Sequence, residues 1–100
     1  MDGADKSAAD HAALSRDVTI TNMRGLHARA SARFVRTAES FDATVRVTRD
    51  GQTVAGTSIM GLMMLAASTG SGITIETSGP QASEAMEALV ALVTDNFGEE

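Results

Sequence analysis

The pattern of hydrophobic and polar residues predicts four short strands. Val18 and Ile20 alternate with polar residues between positions 17 and 21, and a period of two residues is typical of a half-buried strand. Asp50 and Gly51 lie between two further alternating runs, and the pair Asp-Gly is a strong signal for a two-residue hairpin. The other predicted strands span residues 43–48, 52–55 and 73–76.

Two longer segments follow the period of a helix instead. The first begins directly after His27 and places Phe34 and Ala38 in the core. The second begins at Pro80, because proline suits the first position of a helix, and it ends at Gly98. The apolar stripe of this last helix consists of Ala82, Ala85, Met86, Leu89, Val93 and Phe97.

A third, short helix is predicted at residues 59–66, with Thr57 or Ser58 as its N-cap. It is apolar on nearly every side, whereas a surface helix normally has one polar face. The helix is therefore either buried or exposes apolar surface to a partner, a use for which adaptable methionines are well suited. We assign to the core Ile59, Leu62 and Leu65.

The order of these elements, β-α-β-β-α-β-α, makes this an α+β chain, and its 100 residues suffice for one domain. The order is compatible with a ferredoxin-like sheet, and the pattern alone does not decide how the strands are arranged. We assign residues 17–100 to the domain. Residues 1–16, rich in alanine and aspartate, are predicted to form a mobile N-terminal tail.

The composition excludes several kinds of function. The chain has no cysteine, which excludes disulfides, thiolate metal sites and thiol catalysis, and we predict neither a cofactor nor a metal site. Its apolar runs are shorter than the roughly 20 residues of a membrane span, and residues 1–16 lack the apolar segment of a signal peptide. We therefore expect a cytoplasmic protein without membrane insertion. A net charge of −5 and the lack of Trp and Tyr disfavour nucleic-acid binding.

The candidate chemistry lies where the first strand passes into the first helix. His27 is predicted to be the N-cap, with its ring over the backbone amides of Ala28, Arg29 and Ala30. Such amides have no intrahelical partner and bind anions, and the guanidinium of Arg29 suits phosphate oxygens. The site could therefore carry a phosphoryl group on the imidazole. On spacing alone, a purely structural capping histidine remains an alternative.

A cluster of positive charge surrounds this histidine. Half of the eight basic residues of the chain, namely Arg24, Arg29, Arg33 and Arg36, lie within this short stretch, and no Lys or Arg follows Arg49. A positive patch on an acidic chain indicates a phosphate ligand or an acidic partner. From charge alone, a solvated helix face explains it equally well.

Two blocks of sequence resemble one known family. Gly25-Leu26-His27-Ala28-Arg29 resembles the active-site signature of HPr, the histidine phosphocarrier of the bacterial phosphoenolpyruvate-dependent phosphotransferase system. Ser58 to Met63 resembles the regulatory-serine segment of the same family, at the same distance from the histidine. The resemblance covers about residues 17–98. One departure is Ala30, where the family usually has proline; alanine restores an amide donor and favours the helix.

The resemblance implies an open-faced sandwich, with a four-stranded antiparallel sheet and three helices on one face. It also implies that His27 accepts a phosphoryl group from enzyme I, with help from Arg29, and passes it to an EIIA-type acceptor. The protein would be a monomeric phosphoryl-transfer intermediate rather than an enzyme. Met60 and Met63 would be exposed beside the histidine. The predicted docking residues are Arg24, Arg33, Arg36, Met60, Gly61 and Met63.

Two other functions remain open. In the first, the chain is a regulatory binding module, and an HPr kinase/phosphorylase modifies Ser58 to change the choice of partner. A phosphate would add about −1.5 to −2 charges beside the apolar helix. Without that modification, Ser58 would be only a helix cap. In the second, a ferredoxin-like domain senses a ligand and His27 is purely structural.

Overall fold

A computed structural model of the chain describes residues 13–99 and contains one four-stranded antiparallel sheet. The strands are arranged so that the last strand in the sequence lies between the first and the second. They are β1 (Leu14–Thr19), β2 (Thr44–Arg49), β3 (Gln52–Ala55) and β4 (Gly72–Ser78). In the sheet they follow the order β1-β4-β2-β3, so β1 and β3 form the edges.

Three helices cover one face of this sheet, which confirms the predicted α+β open-faced sandwich. They are α1 (Ala28–Glu39), α2 (Ile59–Met64) and α3 (Ala82–Thr94), and a short 3-10 helix follows (Asn96–Gly98). None of the helices in this part of the chain has the length and apolar character that a membrane span requires.

The core lies between the helices and the inner face of the sheet. Val45 and Val47 of β2 and Ile73 and Ile75 of β4 are buried, because alternate strand residues point to the same face. The helices contribute Phe34 from α1 and the whole predicted stripe of the last helical segment. The hairpin prediction is also confirmed, since Asp50 and Gly51 have φ values of 50° and 79°, as a primed turn requires.

The predicted start of the domain is wrong by three residues. Leu14, Ser15 and Arg16 belong to β1 and pair with the end of β4, although they were assigned to the tail. All three side chains are exposed, so no hydrophobic alternation marks them. Their pairing depends on backbone hydrogen bonds of the sheet. The predicted mobility of the remaining tail, residues 1–12, lies outside the described residues.

The last helix is shorter than predicted at both ends. Pro80 lies before α3, whose N-cap is Gln81. The Gln81 N–H donates to the Asp42 carbonyl and not to a carbonyl of a helical turn begun by Pro80. At the other end α3 stops at Thr94, and Asn96 and Phe97 both adopt a φ of 56°. Phe97 is nevertheless completely buried. The apolar stripe therefore predicted which residues reach the core, but not the backbone path that brings the last of them there.

Candidate functional site

The loop from β1 to α1 is fastened to the connection between α2 and β4. Leu26 N–H donates to the Ala67 carbonyl at 2.9 Å, and the Thr69 hydroxyl donates to the Asn22 carbonyl at 2.6 Å. Gly25 has a φ of 62°, and a Cβ at this position would overlap the Ala67 carbonyl oxygen. These hydrogen bonds join the two connections and thereby position His27, the residue that precedes α1.

His27 is the N-cap of α1, as predicted from the sequence. Its backbone is extended, with φ −76° and ψ 179°, and its carbonyl accepts the first hydrogen bond of the helix from Ser31 N–H at 2.9 Å. The three amides before Ser31 therefore have no acceptor within the helix. They belong to Ala28, Arg29 and Ala30, the residues that were predicted to bind phosphate.

The imidazole makes no capping hydrogen bond to these amides. Its Nε2 lies 2.5 Å from Oε2 of Glu99. The second carboxylate oxygen of Glu99 accepts a hydrogen bond from the Asn22 side chain at 3.1 Å. The same amide group also donates to the Gly25 carbonyl at 2.9 Å. The ring is thus half-buried, with 16% of its side chain exposed, beneath the C-terminal segment.

Neither Glu99 nor Asn22 was identified from the sequence. Glu99 lies 72 positions after His27, and no local pattern connects the two residues. Asn22 is 2% exposed and belongs to the loop before the helix, where asparagine is common for its turn-forming side chain. An asparagine in the candidate active-site loop is the signal in the sequence that could have singled it out.

The electrostatic surroundings keep Glu99 ionised. Burial raises the pKa of its carboxyl group, but hydrogen bonds from His27 and Asn22 and the charges of His27 and Arg33 outweigh this effect. The pKa of Glu99 therefore lies below its ordinary value of 4.5. An ionised carboxylate can only accept a hydrogen bond, so the proton of this contact belongs to His27 Nε2. In the neutral ring, Nδ1 then carries the lone pair.

The C-terminal segment is held in place by contacts with the rest of the domain. Arg33 donates to the Phe97 carbonyl, and the Thr21 hydroxyl donates to the Asn96 side chain at 2.5 Å. Together with the buried ring of Phe97, these contacts place Glu99 over the imidazole. Arg33 was predicted to be a docking residue; its half-buried guanidinium donates to this carbonyl through one nitrogen, and a contact of Arg33 with a partner stays a prediction.

The other arginines of the predicted patch differ from Arg33. Arg24, Arg29 and Arg36 are exposed. Among residues 13–99, no hydrogen bond or ion pair holds the guanidinium of Arg29, which lies in the first turn of α1. This side chain is therefore available to an anion bound at the start of the helix.

Ser58 is the N-cap of α2, and its hydroxyl accepts a hydrogen bond from Gly61 N–H at 2.9 Å. Leu62 and Leu65 are buried, as predicted, and Met60 and Met63 are exposed, as the resemblance implied.

The assignment of Ile59 to the core is wrong, because its side chain is exposed. The helix stops at Met64, two residues earlier than predicted, and a helix of six residues presents only one narrow face to the core. Its exposed apolar surface consists of Ile59, Met60, Met63 and Met64.

Comparison with known proteins gives a consistent result. The family model described as PTS HPr component phosphorylation site matches residues 14–95. Phosphocarrier protein HPr of Cupriavidus necator is 54% identical over 86 residues, which cover 86% of this chain and 97% of that protein. HPr-C-His from Thermoanaerobacter tengcongensis has a crystal structure with a TM-score of 0.84 at 40% identity, covering 87% of this chain and 98% of that one. A structure of an HPr dimer from the same organism has a TM-score of 0.70 at 41% identity, covering 84% and 99%.

The match extends over nearly the whole described part of the chain and includes the histidine, the loop before it and the helix that it caps. The sheet, the three helices and the open face have the same arrangement in the solved structures. On these grounds the chain belongs to the HPr family, the phosphocarrier proteins of the phosphotransferase system.

Proposed function

We propose that His27 accepts the phosphoryl group from phosphorylated enzyme I and passes it to an EIIA-type acceptor. The observation that carries this proposal is the position of the ring. His27 begins a helix whose first three amides have no acceptor within the helix, and the contact of its Nε2 with Glu99 leaves the lone pair on Nδ1. Nδ1 is therefore the atom that would accept the group.

The transfer needs little from the protein beyond this geometry. The Nδ1 lone pair forms a bond to phosphorus, while the bond between phosphorus and the donor atom of enzyme I breaks and leaves its electron pair on the donor. The amides of Ala28, Arg29 and Ala30 and the guanidinium of Arg29 lie at the same end of the helix and favour the phosphoryl oxygens. The helix end contributes only about 0.3–1 kcal/mol, which stabilises the group without preventing its release.

The proposal is tested by incubating the protein with enzyme I and phosphoenolpyruvate. The protein should gain one phosphoryl group, which acid removes and which tandem mass spectrometry places on His27. Addition of an EIIA protein should return the carrier to its original mass. A phosphate that survives acid, or one that maps to a different residue, would contradict the proposal.

Arg29 is expected to act on the transferred group. Arg29→Ala should slow transfer from enzyme I by about tenfold, because a charge-assisted hydrogen bond contributes about 1.5–3 kcal/mol before solvent screening reduces it. Arg29→Lys should retain part of the rate, since a lysine keeps the charge but not the planar fork. Stopped reactions analysed by mass give both rates. Arg46→Ala is the control, because Arg46 is an exposed arginine on β2, in the sheet. Equal loss in both variants would indicate a general charge effect instead.

A second function is favoured by the position of Ser58. Its hydroxyl lies at the N-terminus of α2, in the same helix as the exposed Met60 and Met63. A phosphate placed there by an HPr kinase/phosphorylase would add charge to the proposed docking surface. This surface consists of Arg24, Arg33, Arg36, Met60, Gly61 and Met63. Phosphorylation of Ser58 would thus change which partner binds.

Ser58→Asp is expected to slow transfer from enzyme I by about tenfold, because the added charge makes docking of an apolar or acidic surface unfavourable. Ser58→Asn is the matched control, since asparagine caps a helix as well as serine does without adding charge. Initial rates with enzyme I measure both variants. If the two variants transfer at the same rate, Ser58 is a helix cap and no more.

The proposal also places the carrier in the cytoplasm as a monomer that is phosphorylated transiently and is not itself a catalyst. A dimer is described for HPr of Thermoanaerobacter tengcongensis, so the oligomeric state of this chain stays a prediction.

A further inference from the structure

Both carboxylate oxygens of Glu99 make hydrogen bonds within the candidate site. One carboxylate oxygen contacts His27 Nε2 at 2.5 Å and the other accepts a hydrogen bond from the buried Asn22 at 3.1 Å. The preceding residues are anchored by the buried ring of Phe97 and by Arg33. The Glu99 side chain is only 19% exposed, so a carboxylate near the end of the chain is held against the reacting ring.

We propose that Glu99 is a positioning residue that keeps the proton on Nε2 of His27 while the phosphoryl group is on Nδ1, and thereby keeps that group easy to release. This inference rests on the proposed phosphorylation of His27. It concerns a step for which neither Arg29 nor the helix amides are suited, because in the proposed function they would contact the phosphoryl oxygens and not Nε2 of the ring.

The balance of the transfer step shows why this proton matters. With a phosphoryl group on Nδ1 and a proton on Nε2, the ring is a cation, and the carboxylate of Glu99 stabilises it. When the bond between Nδ1 and phosphorus breaks, its electron pair stays on Nδ1 and the ring departs as neutral imidazole. If Nε2 loses its proton first, the ring must depart as an imidazolate anion, which is a much poorer leaving group.

The other charges near the ring act in the opposite direction. Arg24 in the preceding loop and Arg29 and Arg33 on α1 are cations, and they favour loss of the ring proton. Residues 59–71, which form α2 and the connection to β4, contain no ionisable side chain. Asp95 at the end of α3 is an exposed acid, and Glu99 is the carboxylate in hydrogen-bond contact with Nε2. We therefore assign the retention of the proton to Glu99.

The test uses the lifetime of the phosphorylated protein and does not require enzyme I. Phosphoramidate is used to phosphorylate the full chain, and ³¹P NMR follows the loss of the phosphoryl group over a range of pH. Glu99→Gln retains a hydrogen-bond acceptor but has no charge. At about pH 9 its phosphoryl group should survive about tenfold longer than that of the wild type, because the ring without the Nε2 proton is the poorer leaving group. At about pH 5.5 the solvent supplies the proton to Nε2 without help from Glu99, so the two lifetimes should be equal. Glu87→Gln, on the exposed side of α3, is the control and should match the wild type at every pH.

Equal lifetimes of the wild type and Glu99→Gln at every pH would overturn the proposal, as would a change of the same size at every pH, which indicates a merely structural role. A second measurement is the ¹⁵N spectrum of the unmodified ring. The wild type and Glu99→Gln should show a slowly exchanging Nε2 proton, which Glu99→Ala should lose; its absence in the wild type also overturns the proposal. If phosphoramidate modifies His27 and enzyme I does not, the proposed function fails while the role of Glu99 is still decided by the lifetimes.

Discussion

A His27→Gln variant is expected to take up no acid-labile phosphoryl group from enzyme I and phosphoenolpyruvate. A side-chain amide has no basic nitrogen, so the atom that accepts the group is lost. Removal of a nucleophile reduces enzymatic rates by factors on the order of 10⁴ to 10⁶, and the residual rate should fall below detection. The phosphorylated fraction after a fixed time, measured by mass spectrometry at neutral pH, gives the result.

The fold should survive this substitution. In the described part of the chain the ring makes one hydrogen bond, to Glu99, and does not cap the helix, so the free energy of unfolding should change by about 1 kcal/mol or less. Thermal unfolding checks this expectation. His11→Gln is the matched control, because it removes the other histidine of the chain, which lies outside the described residues. Labelling that persists in His27→Gln and disappears in His11→Gln would refute the assignment of the site.

Local patterns predicted the elements of the fold correctly because local physics determines them. Alternation identified Val45 and Val47 as inward-facing, and Asp50-Gly51 identified the hairpin, since few other pairs adopt two consecutive positive φ values. The N-cap position of His27 followed from the change of period between strand and helix. In each case the information lies within a few residues of the feature.

The features that were missed depend on distant contacts. The first half of β1 is exposed on its side chains and exists because its backbone pairs with β4, a partner that no local pattern identifies. The helical stripe placed Arg33 on an outer face, but the partner of its guanidinium is a carbonyl 64 positions later. The contact between His27 and Glu99 joins the loop after β1 to the C-terminal segment. Between α3 and Glu99 the chain leaves the helical path at Asn96 and Phe97, which no local pattern predicts.

Gly25→Ala is expected to be strongly destabilising, because two separate costs fall on the loop before His27. A positive φ costs an L-residue about 1–2 kcal/mol more than glycine. In addition, a Cβ at this position would overlap the Ala67 carbonyl oxygen and lie 2.8 Å from Ser68 Cα, both of which are backbone atoms. Overpacking of this kind costs about 1–3 kcal/mol, so the free energy of unfolding should fall by about 2–5 kcal/mol in total. In a domain of this size each kcal/mol lowers the melting temperature by roughly 4–8 °C, which thermal denaturation followed by circular dichroism resolves easily.

Gly51→Ala separates the two costs. Gly51 also has a positive φ, of 79°, but a Cβ there would meet no atom within 4 Å, so this variant should lose only the conformational part, about 1–2 kcal/mol. The additional loss of stability in Gly25→Ala then measures the cost of the overlap with Ala67.

Gly25→Ala should also slow phosphoryl transfer below the melting temperature. A displaced loop disturbs Asn22, which donates to the Gly25 carbonyl as well as to Glu99. Gly51→Ala should transfer at the wild-type rate, since a Cβ at this position would meet no atom within 4 Å and would displace no other residue. Equal stability of the two variants would show that the loop is free to move, and that the close packing of the two connections does not hold His27 in position.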